Sequence, residues 1–372
     1  MTNYTPAEVF PPGEFIQEEL DARGWTQGDF AAIIGRPIQV VNEIIAAKKA
    51  ITADTAKAIG DAFGTGPDLW MNLESAWRLS QVDSADESIA RRARLYSIAP
   101  LKEIVKRGWV RPTGDESELE RNILRFMGVS SLDETPCFAA AARMSTSYGA
   151  FTPAQVAWLR HAADLAQSVD ARPFIKSQFA KDVANIRQLA MNEADVRRIP
   201  RFLSELGVRL VLVEKLKGMK LDGAAFWLDE SSPVVAISMR YDRIDHLWFV
   251  LGHELGHILY GDGQSFVDDE LVGEDAADSE LSEAERIADQ FASELLVPKS
   301  ELDDFINGIR PLYARNRIID FANRMGVHPG IVVGQLQHRK EIGFWHSRPL
   351  LPKVTESLAS AAMSDGWGRR PA

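Results

Sequence analysis

Apolar residues recur at three- and four-residue intervals over most of this chain, and in one region the spacing shortens to that of strands. From Gly13 onwards the pattern predicts short helices. Gly13 to Arg23 is the first, with Phe15, Ile16 and Leu20 apolar. Thr26 is placed as the N-cap of a second, Gln27 to Ile34. Gly35 stops that helix, and Pro37 opens a third, Pro37 to Ala47, which buries Val40, Val41, Ile44 and Ile45. Thr52 caps a fourth through Phe63, and Pro67 or Asp68 starts a fifth to about Leu79. Two helices joined by a turn of about four residues carrying a glycine make a helix-turn-helix arrangement. A small helical bundle used for protein contacts is the other reading.

Residues 80–200 are helical in spacing and poor in motifs. Helices are predicted over Glu118 to Met127, Pro153 to Ser168 and Phe174 to Met191, with a break at Ala139 to Ala142 and Ser145 to Gly149. Arg91, Arg92 and Arg94 read as a solvated helix face, and His161, mid-helix, as structural. From Ile199 the pattern changes: a helix to Leu206, then three strand candidates, Val208 to Val213, Gly223 to Leu228 and Val234 to Met239. A long apolar helix follows, with Asp242 as its expected N-cap. Ser282 begins another helix, Glu283 to Val297, closed by Pro298. Helices over Lys299 to Asn307 and Tyr313 to Met325 and from Pro329 complete the pattern, with His328 and His338 structural. The tail from Phe344, holding Pro349, Pro352 and Pro371, is expected to be loosely ordered.

Composition narrows the class. At 372 residues, 45% hydrophobic and 26% charged, the chain is of ordinary globular type with two or three domains. No apolar run approaches the length of a membrane span, and the N-terminus shows no signal-peptide pattern. Cys137 is the only cysteine, so a cytoplasmic location is expected. The net charge of −11 argues against broad affinity for nucleic acid. Residues 1–78 hold eleven acidic and six basic side chains. Phosphate contacts therefore fall to Arg36, Lys48 and Lys49, with Lys57 a further candidate. Gln39 and Asn42, near the start of the third helix, are best placed for base edges, and Gln27 is a further DNA-binding candidate.

The chemistry lies in His253-Glu254-Leu255-Gly256-His257. Positions i and i+4 differ by about 40° around a helix, so the two imidazoles stand on one face and can hold a zinc ion. Glu254 points to an adjoining face, where it can take a proton from water and pass it to a leaving amine. A buried helix with two satisfied core histidines is the competing reading, but burying two His and a Glu without partners is costly. For a third ligand, the segment from Asp262 to Glu285 offers ten carboxylates and no Lys or Arg. Glu285 lies within about 20° of the stripe formed by Ala288, Ala292 and Leu296. Ser282-x-x-Glu285 is equally a capping box, so ligand and cap both stay open for Glu285. Asp289, one turn on, is placed to accept a ring N–H from a ligand histidine. His246, seven residues before His253, could reach the site or pack away from it.

Two resemblances add to this. Pro12-Gly13-Glu14-Phe15-Ile16, Gly24-Trp25-Thr26-Gln27, Ile38 to Ala50 and Trp70-Met71-Asn72-Leu73 resemble the DNA-binding domain of HigA-type antitoxins, lambda-repressor-like regulators. That implies operator DNA binding, usually as a homodimer, and a toxin partner. Arg240 to Asp245, Trp248 to His257 and Ala288 to Pro298 resemble the ImmA/IrrE type of zinc metallopeptidase. That implies zinc on His253, His257 and Glu285, Glu254 as catalytic base, and repressor-type regulatory proteins as substrates.

The expected architecture is mainly α with an α+β domain. It comprises a five-helix helix-turn-helix domain (1–79), a helical connector (80–184), a zincin-like metallopeptidase domain with a small sheet (185–342) and a C-terminal tail (343–372). The expected function is a DNA-binding regulator carrying a zinc-dependent endopeptidase. The alternative is an autorepressing antitoxin whose zinc domain senses or supports without turnover.

Overall fold

The computed structural model describes residues 9–82, 87–138, 151–261, 266–269 and 283–365. The chain divides into two units, Met1–Ala90 and Arg91–Ala372.

The first unit holds α1 (Pro12–Arg23), α2 (Gln27–Ile33), α3 (Ile38–Ile45), α4 (Ala53–Phe63) and α5 (Pro67–Gln81). Local chemistry sets their ends. Thr26 Oγ1 accepts from the Asp29 N–H at 3.1 Å while Asp29 accepts from the Thr26 N–H at 2.9 Å, a reciprocal cap that starts α2. Gly35, at φ +64°, takes the left-handed turn that separates α2 from α3. Ile16, Leu20, Phe30, Val41, Ile59 and Trp70 close one core. Phe30 stacks on Phe63 at 4.9 Å. Gly13 is held to its residue type by packing: a Cβ there would stand 2.6 Å from the Ile45 carbonyl carbon of α3.

In the second unit α6 (Glu87–Ile98), whose first residues belong to the first unit, α7 (Leu101–Lys106), α8 (Glu116–Met127) and α9 (Pro153–Ala166) precede α10 (Lys176–Asp182) and α11 (Ile199–Glu205). Phe174 to Met191, read as one helix, is instead α10 continued by a 3₁₀ turn over Val183–Leu189. Arg91, Arg92 and Arg94 pair with Glu120, Glu116 and Asp133. The predicted break at 139–149 lies outside the described residues.

The strands are β1 (Arg209–Leu212), β2 (Leu221–Trp227) and β3 (Pro233–Ile237), followed by α12 (Ile244–Tyr260), β4 (Phe266–Asp269), α13 (Glu283–Leu296), α14 (Lys299–Ile309), α15 (Arg315–Met325) and α16 (Pro329–His338). Last come α17 (Thr355–Ala359) and β5 (Met363–Ser364). The described strands form one mixed sheet in the order β4-β2-β3-β1-β5. Alternation along β2 and β3 divides the core: Ala225, Val235 and Ile237 face α12, whereas Ala224, Phe226, Val234 and Ala236 face α9. The segment read as a connector thus supplies the layer behind the sheet. Trp158 of α9 is fully buried and donates its indole N–H to the Val213 carbonyl at 2.9 Å.

Two expectations are overturned here. The described part of the tail is packed: Leu350, Val354 and Leu358 enter the main core and β5 adds to the edge of β1. The proline-rich composition hid three apolar anchors at helical and turn positions. Asp242 does not cap α12; Arg243 holds the cap position, and the Asp242 carboxylate accepts from the N–H groups of Val354 and Thr355 at 2.8 Å each. Asp242 sits one residue too early for its helix and closes the tail instead.

Candidate functional site

α12 is buried on almost all sides, and α13 crosses it closely because small residues meet at the crossing. A Cβ on Gly252 would stand 3.0 Å from Ala292 Cα, and one on Gly256 would stand 3.0 Å from Ala288 Cα. Side chains there would wedge the helices apart. The close approach carries Glu285, in the first turn of α13, to the histidines of α12. His253 Nε2 and His257 Nε2 are 2.8 Å apart, and the Glu285 carboxylate oxygens lie 3.2 Å and 3.5 Å from them. All three residues are buried, and their ligand atoms fall within 4.8 Å of one another. Asp289 Oδ1 is 2.9 Å from His253 Nδ1.

These contacts test whether a cation fits. With Asp289 accepting the Nδ1–H of His253, the Nε2 of that ring presents a lone pair to His257 and Glu285. Burial pushes the His257 imidazole below its ordinary pKa, with Glu285 pulling part of the way back. Electron-rich atoms converging in a water-poor pocket repel unless a cation lies among them. Two imidazole nitrogens and a carboxylate oxygen are a donor set that zinc takes, with a fourth position left for water or substrate. The residues fit the ion.

Glu254 is fully buried on the adjoining face of α12. β2 runs against it: a Cβ on Gly223 would stand 2.6 Å from Glu254 Oε1 and 2.7 Å from Val250 Cγ1. Sequence reasoning missed Gly223; a glycine inside a strand was the available signal of close approach. The pairing of β2 with β4 shifts register between Leu221 and Ala224, and the irregularity falls at this contact. His246 lies nearly two turns before His253 on α12. It stands 3.7 Å from the buried Asp222 carboxylate and edge-on to Tyr241, away from the three converging side chains. The cap alternative for Glu285 rests on Ser282, outside the described residues. His328 is a helix cap, its Nδ1 accepting from the Gly330 N–H at 3.0 Å.

In the first unit, α2, a four-residue turn and α3 reproduce the expected helix pair. Arg36, Gln39, Asn42, Lys48 and Lys49 are exposed on or beside α3. Gln39 reaches Glu43 at 3.3 Å and Lys49 stands 3.7 Å from the same carboxylate. Gln27 bonds to Gln17 at 3.0 Å, tying α2 to α1.

The fold and the site thus define a helix-turn-helix unit joined to a metallopeptidase-like domain. Residues 16–70 match the helix-turn-helix family, and residues 204–336 match the IrrE N-terminal-like domain, a peptidase family. A relative is the uncharacterized HTH-type transcriptional regulator YddM of Escherichia coli, 30% identical over 82 residues, 22% of this chain and 87% of that protein. Virulence-associated protein I of Dichelobacter nodosus is 32% identical over 79 residues, 21% of this chain and 73% of its own. Among solved structures, a HigA-family antidote protein from Coxiella burnetii is 33% identical over 19% of this chain and 79% of that one, with a TM-score of 0.19. Pseudomonas aeruginosa antitoxin HigA with the higBA promoter is 27% identical over 23% of this chain and 94% of that one, with a TM-score of 0.21. The chain belongs to the helix-turn-helix transcriptional regulators and carries an IrrE N-terminal-like domain later in its sequence.

Proposed function

We propose that this regulator binds operator DNA through its first unit and, through its second, hydrolyses a regulatory protein as a zinc-dependent endopeptidase. The observation that carries the enzymatic part is the convergence of His253, His257 and Glu285 with Glu254 buried beside them. Those three residues would hold the ion. Zinc bound there would supply a Lewis acid that polarises a peptide carbonyl and acidifies water. Glu254, pressed against Gly223 and shielded from solvent, takes the proton of the attacking water and delivers it to the leaving amine. Asp289 keeps the His253 ring in one tautomer and orientation. β4, at the edge of the sheet, gives an extended substrate a strand to pair with.

The test is Glu254→Gln in purified protein mixed with candidate repressors and candidate toxin partners. Zinc is retained and cleavage falls by a factor on the order of 10² to 10⁴; cleavage at the wild-type rate would overturn the assignment. A second reading, an autorepressing antitoxin whose zinc domain has no turnover, is favoured by the relation of residues 16–70 to transcriptional regulators. Undiminished DNA binding with no cleavage of any partner would establish it.

A further inference from the structure

The second unit has a cleft that the reading above does not use. It lies between the loop after α7, α8, α9 and the turn joining β2 to β3, and measures about 1230 Å³. Trp109, Phe126, Phe138 and Trp227 supply flat apolar wall, and Arg111, Arg125 and Arg160 line it too. These rings are fixed from behind. Trp109 stacks on His161 at 4.1 Å, Phe138 meets Phe226 edge-on at 5.2 Å, and Trp227 meets Phe174 edge-on at 5.1 Å.

The arginines of the cleft differ from those of α6, which each meet a carboxylate. Arg160 gives one N–H, from Nη2, to the Cys137 carbonyl at 3.0 Å, and its guanidinium lies against Gly128. Its buried Nε has no hydrogen-bond partner. Among the described residues Arg125 reaches Asn122, at 3.5 Å, and neither these two nor Arg111 makes an ion pair, although the Asp164 carboxylate one turn on acts on Arg160 through space. Two of the acidic side chains lining the cleft are occupied. Glu118 accepts from Thr113 Oγ1 at 2.7 Å, and Asp229 accepts from the Ser231 N–H at 2.8 Å to close its own turn. Guanidinium donors left over beside rigid aromatic faces form a receptor for a flat anion. Burial also holds the Arg160 pKa below its ordinary value, with the Asp164 carboxylate offsetting part of that shift.

We infer that this cleft binds a planar aromatic anion, its ring against the tryptophans and its carboxylate or phosphate on Arg160 and Arg125. Asp164 and Glu230 then face hydrogen-bond donors on the rest of the ligand.

Isothermal titration of the full chain with 2-naphthoate, AMP and GMP tests this, with neutral 2-naphthamide as the control for the ring alone. Expected is saturable one-to-one binding of the carboxylate or of a nucleotide with Kd below about 1 mM. Naphthoate alone assigns an aromatic carboxylate, and a nucleotide alone assigns a nucleoside phosphate. Arg160→Met and Arg125→Gln each weaken binding by about tenfold or more, and the naphthamide binds less well than the naphthoate. Arg125 is exposed, so its variant keeps the fold if Arg160→Met does not, and Trp227→Leu offers a third loss of affinity. Glu254→Gln binds as the wild type does, which separates this site from the peptidase reading. Absence of saturable binding by all three anions, or affinity unchanged in Arg125→Gln, overturns the inference.

Discussion

Glu285 and Asp289 stand one turn apart on α13, and that spacing lets a single helix supply both a candidate ligand and the acceptor that orients another. The two are separable by experiment. Glu285→Ala removes one of three donors and leaves the histidines facing each other, so purified protein should lose its metal. Asp289→Asn keeps all three donors but loosens the His253 ring, so zinc affinity should fall by about 10- to 100-fold. Competition with a chromogenic chelator reads both, and an unchanged affinity in either contradicts the role given to it. The position of Glu285 was legible in the sequence, because helical periodicity places it beside the buried stripe, and Asp289 follows one turn on. Whether Glu285 serves as ligand or cap was not, since Ser282-x-x-Glu285 fits both. Gly223 was not: its role depends on a strand meeting a helix, which no local pattern encodes. His161 makes a separate prediction. Burial, reinforced by the nearby Arg107 charge, lowers its pKa to about 4. The unfolded ring titrates near 6.5, so between about pH 6.5 and 4 the unfolded chain binds the extra proton. Its share of stability is present above that window and is lost as pH falls through it, an effect on the order of 3 kcal/mol. In urea titrations across this range His161→Phe should flatten the decline; an identical pH profile would contradict it.

Among the elements, the pair α12 and α13 does most to build the centre. Gly256→Val places branched carbon where Ala288 Cα stands 3.0 Å from the Cβ position, and overpacking of this kind costs about 1–3 kcal/mol. The expected outcome is a lower melting temperature together with weaker metal binding, since Glu285 moves with α13. A stable variant that keeps full affinity would show that the crossing can widen without consequence. The three main strands and most helices followed from periodicity and capping residues. The misread segments have tertiary causes. β5 is two residues long and exists only by pairing with β1. Leu350 and Leu358 become core only because α16 receives the turn that carries Leu350 and the 3₁₀ turn over Glu193–Arg198 receives α17. Truncation after residue 343 should therefore destabilise the second unit by several kcal/mol in denaturant unfolding, since it removes three buried apolar side chains. Wild-type stability after truncation would restore the picture of a loose tail.

For the whole molecule, the balance of charge constrains how one chain can hold a DNA-binding unit and a peptidase-type domain. A net charge of −11 repels phosphate, so in the proposed function operator affinity rests on a few cations around α3. Replacing Lys48 and Lys49 together by alanine should weaken operator binding across sequences and lower the salt dependence by about two units of slope. Gln39→Ala or Asn42→Ala should reduce discrimination between operators instead. Gel-shift titrations at several salt concentrations separate the two effects, and loss of neither would move the interface off α3.

The most direct measurement is metal content by elemental analysis of protein purified without added metal or chelator. The geometry predicts about one zinc per wild-type chain and per Glu254→Gln chain, and near zero in His257→Ala and Glu285→Ala. A wild-type chain that folds cooperatively yet takes up no zinc, even when zinc is supplied, would contradict the metal centre on which the peptidase reading stands.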